Sequence, residues 1–264
     1  MYDFNYHRPD TLDAACGALS GNDEAKVVAG GMTLVPTLKQ RLAQVSDLID
    51  LGGIASLKEI KRDGDTLVVG AMATHDSVNR SDVVKSAIPA LAALAGGIGD
   101  AQVRNRGTIG GSVANADPSA DYPAGLVGLG ATVVTTKREV AAHDFFTGMF
   151  ETALEEDELI TAVKFPIPKR ASYAKFPNPA SRYAIVGVMV AETAGGPRVA
   201  VTGAAGSVFR HAGMESALAG SWSADAVAGV ATPTDDLNND IHASADYRAH
   251  LVGVMAKRAV AAAG

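Results

Sequence analysis

The chain has 264 residues, of which 47% are hydrophobic and 20% are charged, and its formal net charge is −6 at pH 7. This length gives one large domain or two smaller ones, and the composition is that of a soluble globular protein. The negative balance argues against nucleic-acid binding, which needs a basic surface. The apolar runs fall short of the ~18 residues of a membrane span. The opening MYDFNYHRPD lacks the basic-then-apolar order of a signal peptide, so we predict a cytoplasmic protein.

The cysteine and histidine content argues against a metal centre. One cysteine, Cys16, is present, whereas an iron–sulfur cluster usually needs about four. Cys16 stands four residues after Leu12 and three before Leu19, on the apolar face of a predicted helix, so we expect it to fill the core. The six histidines show no metal-ligand spacing on one helical turn, and the sequence predicts no metal site.

The first fifty residues have the pattern of a small βαβ unit with parallel strands. Apolar runs alternate with helical periodicity, and glycine or proline marks the segment ends. The predicted elements are a helix that begins at Asp10 or Thr11 and ends at Gly21, a strand at 26–29, a helix with Pro36 in its first turn, and a strand at 47–51.

The middle and last parts of the chain meet at Pro166 and Pro168, which we interpret as a domain boundary. Beyond it, two apolar runs predict antiparallel strands, and a long helix carries Leu251, Met255 and Ala259 on one face. The predicted elements are strands at 66–70, 131–136 and 159–165 and a helix at 88–95 before the boundary, and strands at 184–191 and 199–202 and a helix at 244–262 after it.

Three glycine segments are candidates for holding an anion, because glycine lets backbone N–H groups approach a ligand closely. They are AGGMT at 29–33, TIGGS at 108–112 and TGAAGS at 202–207. A lone pair of glycines is more often a tight turn. TGAAGS is similar to the start of a short-chain dehydrogenase, but Ser207 and Phe209 stand where that pattern needs glycines, and too little chain follows for a Rossmann domain. The other two segments fit neither G-x-G-x-x-G nor the Walker A motif.

The stretch VRNRGTIGGSVANADPSADYP at 103–123 is too polar for a buried strand and too rich in Gly, Ser and Asn to continue a helix. Like AGGMT, it places adjacent glycines beside a hydroxyl, which is Thr33 in one segment and Thr108 or Ser112 in the other. Two bare-backbone loops of this kind predict a long ligand with two phosphates, held from both sides. Asp121 either accepts hydrogen bonds from sugar-like hydroxyls or caps a nearby helix.

Four segments, in this order, carry a resemblance to a known family. AGGMTLVPTLKQRL, GAMATH, QVRNRGTIGGSVANADPSADYPA and SRYAIVGVMVA resemble the FAD-binding medium subunit of bacterial molybdenum hydroxylases, the carbon monoxide dehydrogenase, aldehyde oxidase and xanthine dehydrogenase group. VAVTGAAGS and DIHASADYRAHL are similar to the C-terminal domain of that subunit. The segment between Gly220 and Asn239 fits only loosely.

The resemblance implies an α+β fold in two domains. The first, at 1–170, is a PCMH-type FAD-binding domain with α/β subdomains at about 1–55 and 56–170. The second, at 171–264, is a C-terminal domain of the carbon monoxide dehydrogenase flavoprotein type, with an antiparallel sheet and helices.

The resemblance also implies that this chain functions as one subunit of a heterohexamer, which contains three kinds of subunit. A large subunit carries the molybdenum cofactor, a small one carries two [2Fe–2S] clusters, and this chain carries FAD. Electrons from a substrate oxidised at molybdenum pass through the clusters to FAD and on to a soluble acceptor such as NAD, oxygen or a quinone. No catalytic residue is expected in this chain. Carbon monoxide, an aldehyde and an N-heterocycle all stay open as the substrate.

Residue by residue, the resemblance implies that the two glycine segments surround the pyrophosphate of FAD. Asp121 would meet a hydroxyl of the cofactor, and Ile98 and Ile160 would line the same cleft. Lys175 would lie near the flavin ring, with a plain surface lysine as the alternative. The predicted cofactor-binding residues are Ala29, Gly30, Gly31, Met32, Thr33, Ile98, Thr108, Ile109, Gly110, Gly111, Ser112, Asp121, Ile160 and Lys175.

Two other functions stay open. An assembly module could have kept the fold and lost FAD, although the intact glycine segments argue against it. A nicotinamide-dependent dehydrogenase that uses TGAAGS would bind NAD without FAD.

Overall fold

The computed structural model describes residues 1–263, which form three main β-sheets packed against helices, together with one short hairpin. The elements of the first part are β1 (Asn5–His7), α1 (Leu12–Leu19), β2 (Lys26–Val28), α2 (Leu34–Lys39) and β3 (Asp47–Asp50). The strand order is β1-β3-β2, and both pairings are parallel. The predicted βαβ unit is confirmed. The exposed strand β1 has no counterpart among the predicted elements, because its three residues lack an apolar pattern.

Helix α1 begins and packs as its sequence indicates. The Thr11 hydroxyl accepts a hydrogen bond from the Ala14 amide at 3.3 Å and so caps the first turn. Ala15 and Leu19 are buried, and Cys16 packs, partly buried, against the same apolar cluster. Cys16 therefore contributes to the apolar face of α1 as predicted, but it lies at the edge of the core and does not fill it.

The second sheet is antiparallel. Its strands are β4 (Ile60–Asp63), β5 (Thr66–Gly70), β6 (Thr132–Thr135), β7 (Glu139–Ala141) and β10 (Ile160–Pro166), and the hairpin is β8 (Phe146–Gly148) with β9 (Glu151–Thr152). The order of the strands across the sheet is β4-β5-β10-β6-β7. The helices of this part are α3 (His75–Arg80), α4 (Asp82–Ala87), α5 (Pro89–Gly96), α6 (Ala101–Arg106), α7 (Ile109–Asn115), α8 (Asp121–Leu129) and α9 (Ala142–Phe145). Two 3₁₀ turns, Leu51–Gly53 and Ala55–Lys58, connect it to the first sheet.

The third sheet is also antiparallel, with the order β11-β12-β13-β14. Its elements are β11 (Arg170–Pro177), β12 (Ala184–Thr193), β13 (Gly196–Thr202), β14 (Phe209–Arg210), α10 (Ala212–Gly220), α11 (Ala224–Ala228) and α12 (Ala245–Ala262). The predicted antiparallel pair and the long helix are confirmed, and β11 is an additional strand. The α+β class expected from the resemblance is confirmed as well.

Helix α8 joins the second and third sheets into one core. It is buried along its whole length, and a β-carbon on Gly128 would lie only 2.6 Å from the Cγ of Met189 on β12. Met189, Ala191 and Ala200 of the third sheet belong to the same apolar cluster as the second sheet. Helix and sheet therefore approach as closely as glycine allows. The domain boundary at Pro166 stays a prediction.

A buried carboxylate fastens the loop before β10 to the end of β6. The Glu158 side chain is 0% exposed and accepts hydrogen bonds from Arg138 at 3.1 Å, the Thr135 hydroxyl at 2.5 Å and the Glu155 amide at 3.0 Å. Burial alone raises the pKa of Glu158, but these hydrogen bonds outweigh it and lower the pKa to about 2.

We expect Glu158→Gln to lower the free energy of unfolding by about 1–3 kcal/mol at neutral pH, because hydrogen bonds to a charged acceptor are the stronger ones. A depressed folded-state pKa stabilises the fold above the unfolded-state value, and this stabilisation is lost as the pH falls toward about 2. In urea unfolding, the difference in the free energy of unfolding between wild type and variant should become smaller as the pH is lowered. The exposed neighbour Glu156 supplies the control, Glu156→Gln. A difference in the free energy of unfolding that stays constant with pH would contradict a stabilising role for the charged Glu158.

Candidate functional site

A cleft of about 680 Å³ opens between the first sheet, the helices of the middle part and the third sheet. Its volume lies within the range of about 300–1,000 Å³ that small-molecule sites occupy. Its walls include the loop 29–33 after β2, the start of α7 and the loop 181–183 between β11 and β12. All three parts of the fold therefore contribute to one site.

The loop 29–33 supplies backbone donors that the protein itself does not use. Gly31 adopts a φ of 73°, which glycine tolerates without strain. Gly30 packs so closely on the end of α6 that a β-carbon would overlap the carbonyl oxygen of Arg106. Within residues 1–263, no amide of this loop donates a hydrogen bond to another protein group, and the Thr33 hydroxyl makes no capping bond. Such a loop is suited to binding an anion.

The TIGGS segment begins a helix, so the expectation of a second bare loop is wrong. The Thr108 hydroxyl caps α7 by accepting a hydrogen bond from the Gly111 amide at 3.1 Å. The amides of the two residues between them donate to the carbonyl oxygens of Ala73 and Ala71 at 3.0 and 2.8 Å. Glycine is needed at Gly110 because a β-carbon would lie 2.6 Å from that of Ala71. The small residues of TIGGS thus let the capped helix α7 pack against the residues that follow β5.

One side of α7 still faces the cleft. Gly111 and Ser112 line it, and in the described part of the chain the Ser112 hydroxyl has no hydrogen-bond partner. A β-carbon on Gly111 would lie 2.9 Å from the Thr108 hydroxyl oxygen and 3.4 Å from the β-carbon of Ala29. The helix and the loop 29–33 therefore meet at Gly111 and leave little space between them.

All but two of the predicted binding residues line the cleft. Ile109 is fully buried in the core instead, and Lys175 lies behind the cleft wall. The residues at the cleft are Ala29, Gly30, Gly31, Met32, Thr33, Ile98, Thr108, Gly110, Gly111, Ser112, Asp121 and Ile160. Their contacts with a ligand stay a prediction.

Asp121 and Lys175 form a buried ion pair. The Lys175 Nζ lies 3.0 Å from the carboxylate and donates to the carbonyl oxygens of Gly97 at 2.8 Å and Arg182 at 3.0 Å. The Tyr173 hydroxyl donates to the same carboxylate at 2.5 Å. Because the Lys175 side chain is only 11% exposed, a plain surface lysine is excluded. Asp121 makes no capping bond to α8, so the capping interpretation is wrong too.

Burial shifts the pKa values of the titratable groups around the cleft. Burial raises the pKa of Asp121, and Lys175 and Tyr173 oppose that rise. Burial and the nearby Asp121 also raise the pKa of Tyr173 well above its usual value, which keeps its phenol protonated as a donor. Burial and the Arg104 guanidinium lower the pKa of His75 to about 4, so this cleft-lining imidazole is neutral at pH 7.

Further cleft residues lie outside the predicted set. His75 and Asp117 stand in GAMATH and QVRNRGTIGGSVANADPSADYPA, two of the segments that carry the resemblance. Tyr183 is 44% exposed at the cleft, and its hydroxyl has no hydrogen-bond partner within residues 1–263. Arg182 before it adopts a φ of 64°, which is uncommon for a residue other than glycine. Both residues stand in SRYAIVGVMVA, another segment that carries the resemblance.

The third glycine segment, TGAAGS, is not followed by a helix. Strand β13 ends at Thr202 and the next helix begins at Ala212. The Gly203 amide donates to the carbonyl oxygen of Pro118 at 2.8 Å. A dinucleotide-binding fold needs a helix directly after this turn, so the rejection of TGAAGS as such a motif agrees with the structure.

Comparison with known proteins identifies the class of this fold and cleft. The family model for the FAD binding domain in molybdopterin dehydrogenase matches residues 2–168. The chain belongs to this family; it is a component of an oxidoreductase, and its cofactor is FAD. Within residues 1–263, no helix combines the length and apolar character that crossing a membrane requires.

The relatives match over nearly the whole chain. The nicotine 6-hydroxylase medium subunit of Paenarthrobacter nicotinovorans is 34% identical, with 98% of this chain and 96% of that protein covered. The carbon monoxide dehydrogenase medium chain of Hydrogenophaga pseudoflava is 36% identical, with the same coverage. The crystal structure of quinoline 2-oxidoreductase from Pseudomonas putida 86 superposes with a TM-score of 0.90 at 30% identity and covers 99% of this chain and 97% of that one.

The residues present at the cleft fit FAD. The amides of the loop 29–33 and the hydroxyls of Thr33 and Ser112 have no hydrogen-bond partner within residues 1–263, and they are donors of the kind that phosphate oxygens accept. Ile98 and Ile160 add apolar surface suited to a ring system.

Proposed function

We propose that this chain binds FAD in the cleft and transfers electrons through it from an iron–sulfur subunit to an external acceptor. The observation that carries the proposal is that the amides of 29–33 have no acceptor within residues 1–263, while this loop lines a cleft bounded on its other side by α7. Substrate oxidation would then take place on another subunit, and this chain needs no nucleophile or general base.

In this proposal the backbone and hydroxyl groups hold the phosphates. The amides of 29–33 and the hydroxyls of Thr33 and Ser112 donate to the pyrophosphate, while Gly110 and Gly111 keep α7 close without side chains in the way. Thr108 and Ile109 serve the site through the cap and the packing of α7.

Side chains on other elements orient the rest of the cofactor. Asp121 accepts a hydrogen bond from a hydroxyl of FAD, and Ile98 and Ile160 pack against its apolar parts. Lys175 pairs with Asp121 and donates to the carbonyl oxygens of Gly97 and Arg182. Bound FAD supplies the redox chemistry, and these residues bind it, orient it and exclude water.

We infer that the partners are a large molybdenum-cofactor subunit and a small [2Fe–2S] subunit. Relatives called medium subunit and medium chain support a place in such a complex. The single cysteine supports a location of the clusters in another chain. We propose a cytoplasmic heterohexamer whose acceptor is NAD, oxygen or a quinone.

Titration of the purified chain with FAD and with NAD tests the proposal against its alternatives. We expect one FAD per chain, released by acid with a flavin absorption spectrum, and no binding of NAD under the same conditions. Failure to take up FAD, even after attempted reconstitution, would favour the assembly module. Binding of NAD without FAD would favour the dehydrogenase.

The phosphate contacts give a residue-level prediction. We expect Thr33→Val and Ser112→Ala each to raise the Kd for FAD by roughly ten- to hundredfold, because a hydrogen bond to a charged group contributes about 1.5–3 kcal/mol. Fluorescence titration of flavin measures the change. Ser207→Ala is the control, since Ser207 lies outside the cleft lining. If both cleft variants bind like this control, the phosphates lie elsewhere.

A further inference from the structure

Arg248 on α12 is a buried cation whose contacts lead to the cleft. Its side chain is 4% exposed and pairs with Asp240 at 2.7 Å. Its Nη1 donates to the carbonyl oxygens of Ile185 and Gly203, both at 2.8 Å. Ile185 stands at the start of β12, and Gly203 directly follows β13. The guanidinium therefore holds together the adjoining ends of two neighbouring strands.

The same strand ends hold the segment 117–121, which runs from α7 to α8. The Gly203 amide donates to the carbonyl oxygen of Pro118 at 2.8 Å, and the Ala184 amide donates to the next carbonyl oxygen at 3.2 Å. The fully buried Thr202 hydroxyl lies 2.9 and 2.7 Å from two carbonyl oxygens of this segment. The third sheet thus binds the backbone of the segment at successive residues.

Both ends of the segment face the cleft. Asp117 and Asp121 line it, and Asp117 also accepts a hydrogen bond from the Ser119 amide at 2.8 Å. Asp121 is held from its other side by Lys175 and Tyr173. Because the backbone between the two aspartates has few remaining degrees of freedom, a shift of the strand ends would move their carboxylates.

We propose that Arg248 is a positioning residue of the cofactor site. It fixes the ends of β12 and β13, these fix the segment 117–121, and the segment fixes the two cleft aspartates. The inference rests on the proposed binding of FAD in this cleft. It assigns to the C-terminal part of the chain a role in cofactor affinity as well as in folding.

The test compares Arg248→Met with Arg258→Met, a change of the same kind at an exposed position of the same helix. We expect Arg248→Met to raise the Kd for FAD about tenfold at a temperature where circular dichroism shows it fully folded. The visible absorption of the bound flavin should also differ from wild type at saturation, which a change of global stability alone would not produce. Arg248→Lys should restore part of the affinity, because an ammonium group can still donate to these carbonyl oxygens. Arg258→Met should bind like wild type.

The outcomes separate this inference from the proposed function. If wild type and Arg258→Met fail to bind FAD, the proposed function fails. If they bind and folded Arg248→Met shows the same Kd and spectrum, the positioning role is overturned while the proposed function stands. If Arg248→Met does not fold, Thr202→Val decides, because it removes the hydroxyl contacts to the segment and keeps the side-chain shape. A Kd equal to that of wild type in Thr202→Val overturns the inference, and a raised Kd supports it.

Discussion

Gly111→Val is expected to abolish FAD binding while the chain stays folded. A β-carbon at this position would lie 2.9 Å from the Thr108 hydroxyl oxygen and 3.4 Å from the β-carbon of Ala29. Because Gly111 also lines the cleft, we expect the two methyl groups of valine to project into it. The block falls where the pyrophosphate is proposed to bind. Disturbing the Thr108 cap costs about 1 kcal/mol, which is small beside the 5–15 kcal/mol of a typical domain.

The matched control for this variant is Gly17→Val. Gly17 is an exposed glycine on α1 with nothing near its missing side chain, and it lies outside the cleft lining. Flavin content after reconstitution and circular dichroism of both variants decide the outcome. A folded Gly111→Val protein that carries as much flavin as the control would show that α7 does not border the phosphates.

Lys175→Met is expected to lower the free energy of unfolding by about 3–5 kcal/mol at neutral pH, because it leaves the buried carboxylate of Asp121 without its cation. The loss should depend on pH. Burial raises the folded-state pKa of Asp121, and the variant loses the charge of Lys175 that opposes this rise. The folded variant then binds this proton more tightly than the unfolded chain does, so its stability falls as the pH rises through that pKa.

Urea unfolding across the acidic and neutral range measures this dependence. The free energy of unfolding of the variant should be closest to that of wild type at low pH and should differ most from it at high pH. The double variant Asp121→Asn with Lys175→Met should recover part of the loss, because no charge is stranded in it. Lys257→Met, an exposed change on α12, is the control. A loss for Lys175→Met that is independent of pH would mean that Asp121 is not left charged.

The elements that the sequence predicts correctly are those with a complete local signal. The helix α12 has a serine cap at Ser244, whose hydroxyl accepts from the Tyr247 amide, and an apolar face at the helical period. Strand β12 reads as a continuous apolar run and is almost entirely buried. In both cases propensity, pattern and burial point to the same structure, so tertiary contacts had nothing to override.

The features that sequence does not predict depend on long-range contacts. TIGGS becomes helical because the carbonyl oxygens of Ala71 and Ala73 accept its first amides, and no local pattern contains that information. Strand β11 is half-buried along most of its length, so the alternation that indicates a strand is missing. The resemblance places Lys175 near the flavin ring, but its ion pair with Asp121, 54 residues earlier, has no local signal. The cleft residues could be predicted from motifs, whereas the ion pair behind them could not.

The site draws on both the early and the late parts of the chain, and this sets an order of events during synthesis. At about 5–20 residues per second, Arg248 is added roughly 10–45 s after the loop 29–33. Until the end of that interval the nascent chain has its glycine loop but lacks the guanidinium that fixes the ends of β12 and β13. If Arg248 positions the cofactor site as proposed, tight capture of FAD has to wait until α12 has been synthesised and has packed against the third sheet.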